Sequence, residues 1–310
     1  MVARFCAVSV DLDEIDQYRG LHGLPPSDLC RHGVYDLALD RIGDFAAQLD
    51  IPLTLFAVGK DLERPQSATQ LAALHDRGHR IENHSYTHRY DLSRLDRGQM
   101  EEEVARGQAV IEQLTGRRPV GFRAPGYTLS DRLLEVLAAQ GLSFDSSAFP
   151  CPSYYLAKCA ALGWLKLRGR GSRAIVGSPL ALAAPRTPYP QAGRGGHHGG
   201  AGLLELPISV TRRLRLPFIG TSITLAGSRG ARLLARGCVD SPLVNLELHG
   251  IDFLDVSDGL DDLIAYQPDV RLPRDQKLVA LVAAIDELRR YGGRFVTLSQ
   301  AARELERERP

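Results

Sequence analysis

Short apolar segments alternate with helical patterns along most of this 310-residue chain. Residues 4–10 (RFCAVSV) and 53–58 are typical of strands in a sheet covered on both faces, and apolar residues recur at helical spacing from Val34 to Leu49. Further strands are predicted at 79–82, 119–123, 142–145, 204–210, 243–248 and 294–298, and further helices at 67–77, 98–114, 130–141, 275–291 and 299–308. Because strands and helices alternate, we expect an α/β protein with a parallel sheet or barrel.

Residues 151–202 interrupt this alternation with an apolar, basic stretch (YYLAKCAALGWLKLRGRGSR) followed by proline- and glycine-rich sequence. We therefore predict one domain over 1–310 that carries a basic, apolar, Pro/Gly-rich insertion at 151–242. Between Cys151 and Asp240 the chain has 13 Lys/Arg and two acidic residues, although its net charge is only +1. This asymmetry fits either a local anionic partner or a basic face that docks on the acidic remainder of the protein.

The five cysteines are odd in number and show no CxxC spacing. This pattern predicts reduced thiols and a cytoplasmic protein rather than a disulfide framework. The N-terminal sequence becomes acidic too soon for a signal peptide, and no stretch approaches the roughly 20 apolar residues that a membrane span needs. We expect a soluble protein.

Charged and polar side chains stand where five of the predicted strands end. They are Asp11 and Asp13, His84 and His88, Arg123, Asp145, and His249. Each alone has an ordinary explanation, such as a loop carboxylate, a surface histidine or a salt bridge. Because the C-terminal ends of parallel strands meet at one edge of the sheet, we expect these groups to lie together.

Together, these groups could carry out metal-assisted amide hydrolysis. Two histidines four residues apart and one carboxylate form a three-ligand site with positions open for water and substrate, as in catalytic zinc centres. The other aspartate could accept the proton of the water, and Arg123 would keep that base ionised. His249 suits protonation of a leaving amine, and Asp145 could orient His249.

The segments SVDLDE, NHSYTH, FRAPG, DSSAFP and LELHG resemble, in order and spacing, the five motifs of the NodB-homology polysaccharide deacetylases (carbohydrate esterase family 4). The resemblance covers residues 4–150 and 243–300 and implies a distorted (β/α) barrel of about seven parallel strands. It also implies a role for each matching residue: general base Asp11; metal ligands Asp13, His84 and His88; orienting residues Arg123 and Asp145; general acid His249; oxyanion donor Gly126 N–H.

The first motif departs from the common family pattern, in which the two aspartates are adjacent. Here Leu12 separates them, and both face one site only if the chain stays extended, because residues i and i+2 of a strand point the same way. A similar DxD spacing occurs in relatives that act on small or lipid-linked substrates, including the formamido-arabinose lipid deformylase and allantoinase/imidase-like members. This spacing favours a smaller or lipid-linked substrate over a polymeric glycan.

Four further residues are predicted to contact substrate: Pro125, Tyr127, His22 and Trp164. The apolar and basic residues of 154–173 predict either peripheral association with an anionic membrane at its inner face or a helix buried on the barrel. His197 and His198, in a glycine-rich loop, are expected to be solvated.

The sequence therefore predicts a metal-dependent deacetylase of an N-acylated amino sugar, with Zn²⁺ as the expected metal and Co²⁺, Ni²⁺ or Mn²⁺ as alternatives. A non-sugar amide or cyclic imide is an alternative substrate, and a non-catalytic glycan- or lipid-binding relative is an alternative class. A DxD glycosyltransferase would leave the three histidines without a role. Nucleic acid is not expected as a partner, because the basic stretch lacks a recognised motif.

Overall fold

A computed structural model describes residues 4–191 and 202–308. Its strands are β1 (Phe5–Asp11), β2 (Leu53–Ala57), β3 (Arg80–Asn83), β4 (Gly121–Phe122), β5 (Phe144–Asp145), β6 (Tyr189–Pro190), β7 (Leu204–Glu205), β8 (Leu243–His249) and β9 (Arg294–Phe295). They form one sheet in the order β6-β7-β5-β4-β3-β2-β1-β8, with β9 also paired to β1. Every pairing is parallel except that of β6 with β7.

The sheet curls so that its far ends approach each other. Beyond β7, the Ser209 N–H donates to the Asn245 carbonyl of β8 at 3.1 Å. Together with the parallel order, this curl confirms the predicted α/β fold, a distorted (β/α) barrel. The sequence prediction of about seven parallel strands omitted the antiparallel strand β6.

The helices are α1 (Ile15–Leu21), α2 (Leu39–Leu49), α3 (Pro65–Asp76), α4 (Arg97–Thr115), α5 (Asp131–Ala139), α6 (Pro152–Leu167), α7 (Gly220–Arg236), α8 (Arg274–Arg290) and α9 (Leu298–Arg307). Their ends follow local sequence signals. The Ser130 hydroxyl accepts the Leu133 N–H at the start of α5, and Gly116 ends α4 with a φ of 65°.

The largest cluster of buried apolar side chains packs the central strands against helices that flank them. Representative members are Val8, Val10, Ile42, Leu246 and Leu281. The central strand β1 is buried along its whole length and pairs with β2 on one side and β8 on the other. It therefore holds Asp11 at a fixed place in the middle of the sheet.

The segment 151–242 contributes to the barrel as well as interrupting it. β7 pairs with β5, and α7 packs along α8, so the barrel resumes at β7. His197 and His198 lie outside the described residues. Within 4–191 and 202–308, no helix is both long and apolar enough to cross a membrane.

Candidate active site

Three donor atoms lie together at the C-terminal edge of the sheet. Asp13 follows β1, and His84 and His88 follow β3. Asp13 Oδ1 is 3.1 Å from the Nε2 atoms of both histidines, and these two nitrogens are 3.2 Å apart. All three side chains are buried. Their closeness makes this a three-ligand cluster of the kind expected from the sequence.

The chemistry of this cluster fits a divalent metal. His84 Nδ1 lies 2.7 Å from the Arg123 carbonyl oxygen, which can only accept, so Nδ1 carries the proton and Nε2 presents its lone pair. Asp13 Oδ1 has no hydrogen-bond partner in the described part of the chain. Donors about 2.0–2.1 Å from a tetrahedral metal lie about 3.3 Å apart, close to the separations found here.

Two residues of the loop that carries the histidines have strained backbone conformations. His88 and Ser85 both have positive φ, 56° and 63° respectively, a backbone conformation that residues other than glycine rarely adopt. The His88 N–H donates to Ser85 Oγ at 3.1 Å. Such strained residues concentrate at functional sites. Although burial opposes it, the two histidines hold the pKa of Asp13 well below its ordinary value.

Arg123 and Asp11 form a buried ion pair beside this cluster. Arg123 Nη1 donates to Asp11 Oδ1 at 2.6 Å, and neither side chain is exposed. The guanidinium also donates to Ser9 Oγ and to the Ser146 carbonyl and hydroxyl, each at 2.9 Å, and lies over the Phe56 ring. Burial raises the pKa of Asp11, whereas Arg123 opposes that rise. Asp11 Oδ2 is 3.8 Å from His84 Nε2.

His249 is held by Glu247, a residue that the sequence analysis missed. Glu247 Oε1 lies 2.8 Å from His249 Nδ1 and accepts the Tyr127 hydroxyl at 3.0 Å. His249 Nε2 lies 4.0 Å from Asp13 Oδ2. Although burial opposes it, Glu247 raises the pKa of His249 well above its ordinary value. Alternation along β8 could have revealed this pair, because Glu247 and His249 point to the same side.

The contacts of Asp145 differ from the expectation that it orients His249. Asp145 Oδ1 accepts the Ser147 hydroxyl at 2.7 Å, and Ser147 Oγ accepts the Ala124 N–H at 2.8 Å. Its other close neighbour is the buried Glu205 carboxyl. The sheet order explains the difference, since β5 lies between β4 and β7 while His249 ends β8. Asp145 supports the loop that follows Arg123, and Glu247 occupies the place beside His249.

The loop after Arg123 forms one wall of the site. Pro125 is buried there, and the next two residues have positive φ, 62° at Gly126 and 60° at Tyr127. A Cβ at Gly126 would lie 2.9 Å from the Tyr90 ring, so the loop depends on glycine at this position. The Tyr127 hydroxyl also lies 3.3 Å from His249 Nε2.

A cavity of about 510 Å³ opens over these residues. Gly126, Tyr127 and His22 line it, as do residues of α6. His22 stacks on Tyr266, with ring centroids 5.1 Å apart. Two residues predicted to contact substrate, Pro125 and Trp164, do not line the cavity. Trp164 is 45% exposed, and the Arg168 guanidinium lies over its ring.

Residues 35–144 match the family model described as polysaccharide deacetylase. The peptidoglycan deacetylase of Helicobacter pylori is 27% identical over 145 residues, which are 46% of this chain and 48% of that protein. A peptidoglycan deacetylase-like protein of Gibberella zeae is 34% identical over 109 residues, 35% of this chain and 30% of that protein. The chain thus spans half or less of the length of these curated relatives.

Solved structures share the fold over nearly the whole chain. Puue allantoinase superposes with a TM-score of 0.63 at 17% identity, covering 100% of this chain and 92% of that one. A Mycobacterium smegmatis protein assigned provisionally as a polysaccharide deacetylase gives 0.58 at 18% identity, covering 99% and 92%. At these identities the likeness concerns the fold alone. The match to the polysaccharide deacetylase model confirms, over residues 35–144, the resemblance that the motifs predicted.

Proposed function

We propose that this protein is a metal-dependent hydrolase that removes an N-acyl group, most simply acetyl, from an amino sugar. One observation carries the proposal. The buried Asp11–Arg123 pair and the His249–Glu247 pair both lie beside the three-donor cluster of Asp13, His84 and His88. Metal-assisted amide hydrolysis requires a general base and a general acid next to the metal-binding residues.

The cluster would hold one divalent cation. Its two imidazoles and one carboxylate suit Zn²⁺, and also Co²⁺, Ni²⁺ or Mn²⁺. When bound, such an ion supplies Lewis acidity toward a carbonyl oxygen and lowers the pKa of nearby water. Asp13 is the carboxylate ligand because its oxygen, unlike those of Asp11, lies within 3.1 Å of both histidines.

Asp11 is placed to act as the general base. Its carboxylate would take the proton of the attacking water while Arg123 holds it in position through a 2.6 Å hydrogen bond. Burial raises the pKa of Asp11, which makes it a stronger base than an exposed aspartate. Arg123 donates four hydrogen bonds, to Asp11, Ser9 and Ser146. These bonds fix its own position and thereby the orientation of the Asp11 carboxylate.

His249 is placed to act as the general acid. The carboxylate of Glu247 favours its protonated form, so Nε2 can deliver a proton to the leaving amine. Tyr127 contacts both members of this pair and keeps them aligned. The Gly126 N–H is our candidate donor to the oxyanion, and Tyr127 lines the cavity beside it.

The cavity wall formed by α6 favours a substrate with an apolar part. Ala157, Ala161, Leu162 and Leu165 line the cavity from this helix. We therefore favour a small or lipid-linked amino sugar over a long polar glycan. The proposal takes 1–310 as one deacetylase domain in which part of the 151–242 insertion covers the site.

Peripheral membrane association is also part of this proposal, through the exposed apolar and basic residues of α6. Leu156, Trp164 and Leu167 are 66%, 45% and 89% exposed there, next to Lys166 and Arg168. This pattern suits an anionic surface. The five free cysteines of the chain support a cytoplasmic location at the inner face of the membrane.

The test is an assay of amide hydrolysis by the Zn²⁺-loaded protein, with Asp11→Asn as the inactive control. Hydrolysis is followed as released carboxylic acid for the sugar substrates and as ring opening for allantoin. Substrates are N-acetylglucosamine oligomers, a short-chain N-acyl glucosamine lipid and allantoin. Acid released from either sugar substrate supports the proposal, and the lipid substrate is expected to react faster. Hydrolysis of allantoin alone would replace it with a non-sugar amidohydrolase, and binding without hydrolysis would indicate a non-catalytic relative.

A further inference from the structure

Lys158 projects from α6 into the cavity without an acidic partner. Its Nζ donates to the Gly126 carbonyl oxygen at 3.0 Å, and the side chain lines the cavity. No carboxylate of the described ranges lies within salt-bridge distance of Lys158. An ammonium carries three N–H donors, and one carbonyl oxygen satisfies only one of them.

Lys158 lies in apolar surroundings, where an anionic partner would strongly stabilise its charge. Its neighbours along the cavity face of α6 are apolar, and burial lowers the pKa of Lys158 to about 8. At neutral pH the side chain is still mostly protonated. A cation held beside an apolar wall gains far more from an anionic partner than one in water does.

The acidic groups of the same cavity already have partners. Asp11 is paired with Arg123 and Glu247 with His249, and Asp13 Oδ1 lies 3.1 Å from the Nε2 atoms of both His84 and His88. Among the cavity residues that the structure describes, Lys158 is therefore the cation available to a ligand.

Lys158 also lies next to the reacting end of the cavity. It contacts the carbonyl of Gly126, and the adjacent Tyr127 contacts His249. A Cβ built on Gly126 would be 3.5 Å from Nζ. A substrate whose amide reaches this loop therefore presents its neighbouring substituents to Lys158.

We propose that Lys158 selects substrates that carry an anionic substituent, a carboxylate or a phosphate, close to the N-acyl group. This inference rests on the proposed function and narrows its substrate class. The substituent would accept a charge-assisted hydrogen bond from Nζ while the apolar residues of α6 contact the rest of the molecule.

The test compares Lys158→Met and Lys158→Arg with the wild type and with Lys60→Met, the same change at an exposed lysine outside the cavity. The Zn²⁺-loaded proteins are assayed on neutral N-acetylglucosamine, on N-acetylmuramic acid and on N-acetylglucosamine 1-phosphate. The second and third compounds distinguish a carboxylate from a phosphate. Binding of the same compounds is measured by calorimetry.

We expect Lys158→Met to lower the anionic-to-neutral ratio of kcat/KM by about 10- to 100-fold, the range expected for a charged hydrogen bond. Lys158→Arg should keep part of the preference, and Lys60→Met all of it. A wild type that does not prefer either anionic compound, or an unchanged ratio in Lys158→Met, would overturn the inference. If no compound is hydrolysed, the proposed function fails, and calorimetry still decides whether Lys158 binds the anion.

Discussion

Glu247 and His249 stand two residues apart on β8, and Glu247 Oε1 contacts His249 Nδ1 at 2.8 Å. Both side chains point toward the three-donor cluster of Asp13, His84 and His88, because alternate residues of a strand lie on the same side of the sheet. The contact gives the histidine a fixed orientation and favours its charged form. It therefore determines the pH range over which His249 can act as an acid.

Glu247→Gln should shift the pH dependence of catalysis. Glutamine can still accept from His249 but lacks the negative charge, so the pKa of His249 should fall. Because a general acid must be protonated, activity should be lost at a lower pH than in the wild type, with kcat at neutral pH reduced about tenfold or more. The measurement is kcat against pH with the metal-loaded enzyme. Tyr127→Phe, which leaves the charge in place, should move the alkaline limb less. An unmoved limb in Glu247→Gln would show that Glu247 does not control the acid.

Arg123→Met should destabilise the fold as well as abolish turnover. The substitution leaves Asp11 buried without its countercharge, a loss of about 3–5 kcal/mol in the free energy of unfolding. Urea denaturation measures this loss. The double variant Asp11→Asn/Arg123→Met should be more stable than Arg123→Met alone, because the unpaired charge is gone. Additive effects in this double-mutant cycle would contradict the ion pair.

Glu205→Gln should flatten the dependence of stability on pH. Burial and the neighbouring Asp145 raise the pKa of Glu205 well above its ordinary value. The folded protein thus keeps a proton that the unfolded chain releases, and this contribution to stability is lost as the pH rises toward the folded-state pKa. Glutamine cannot ionise. Urea midpoints at about pH 5 and about pH 8 should therefore differ less in Glu205→Gln than in the wild type. Glu102→Gln, at an exposed position, is the control and should behave as the wild type does. If the difference between the two midpoints were as large in Glu205→Gln as in the wild type, Glu205 would not hold the extra proton of the folded protein.

The sequence predicted the site's main groups because their positions follow from a general rule. Strand-end residues of a parallel sheet converge, so Asp11, Asp13, His84, His88 and Arg123 could be placed together without a structure. Their contacts bear out that convergence. The strands β4 and β5 are shorter than predicted, mainly because they begin later, at Gly121 and Phe144 rather than at 119 and 142.

The partner of His249 could not be chosen from motif order alone. Asp145 and Glu247 both stand near strand ends, and only the spatial order of the strands separates them. The orientation of α6 was equally ambiguous, because the helix is apolar on more than one face. The fold turns Tyr154 and Leu162 toward the cavity and leaves Trp164 exposed. Periodicity finds an apolar helix, but which face is covered depends on tertiary packing.

The central claim is that, of the two aspartates of SVDLDE, Asp11 is the general base and Asp13 is a metal ligand. Metal content measured together with turnover tests this claim most directly. Asp11→Asn should keep close to the wild-type content of Zn²⁺ and lose turnover by about 100-fold or more, because the base is gone and the ligands remain. His84→Ala should lose the metal itself, since one of three protein ligands is removed. Full metal content and full rate in both variants, or loss of metal from Asp11→Asn with retention by His84→Ala, would contradict the assignment.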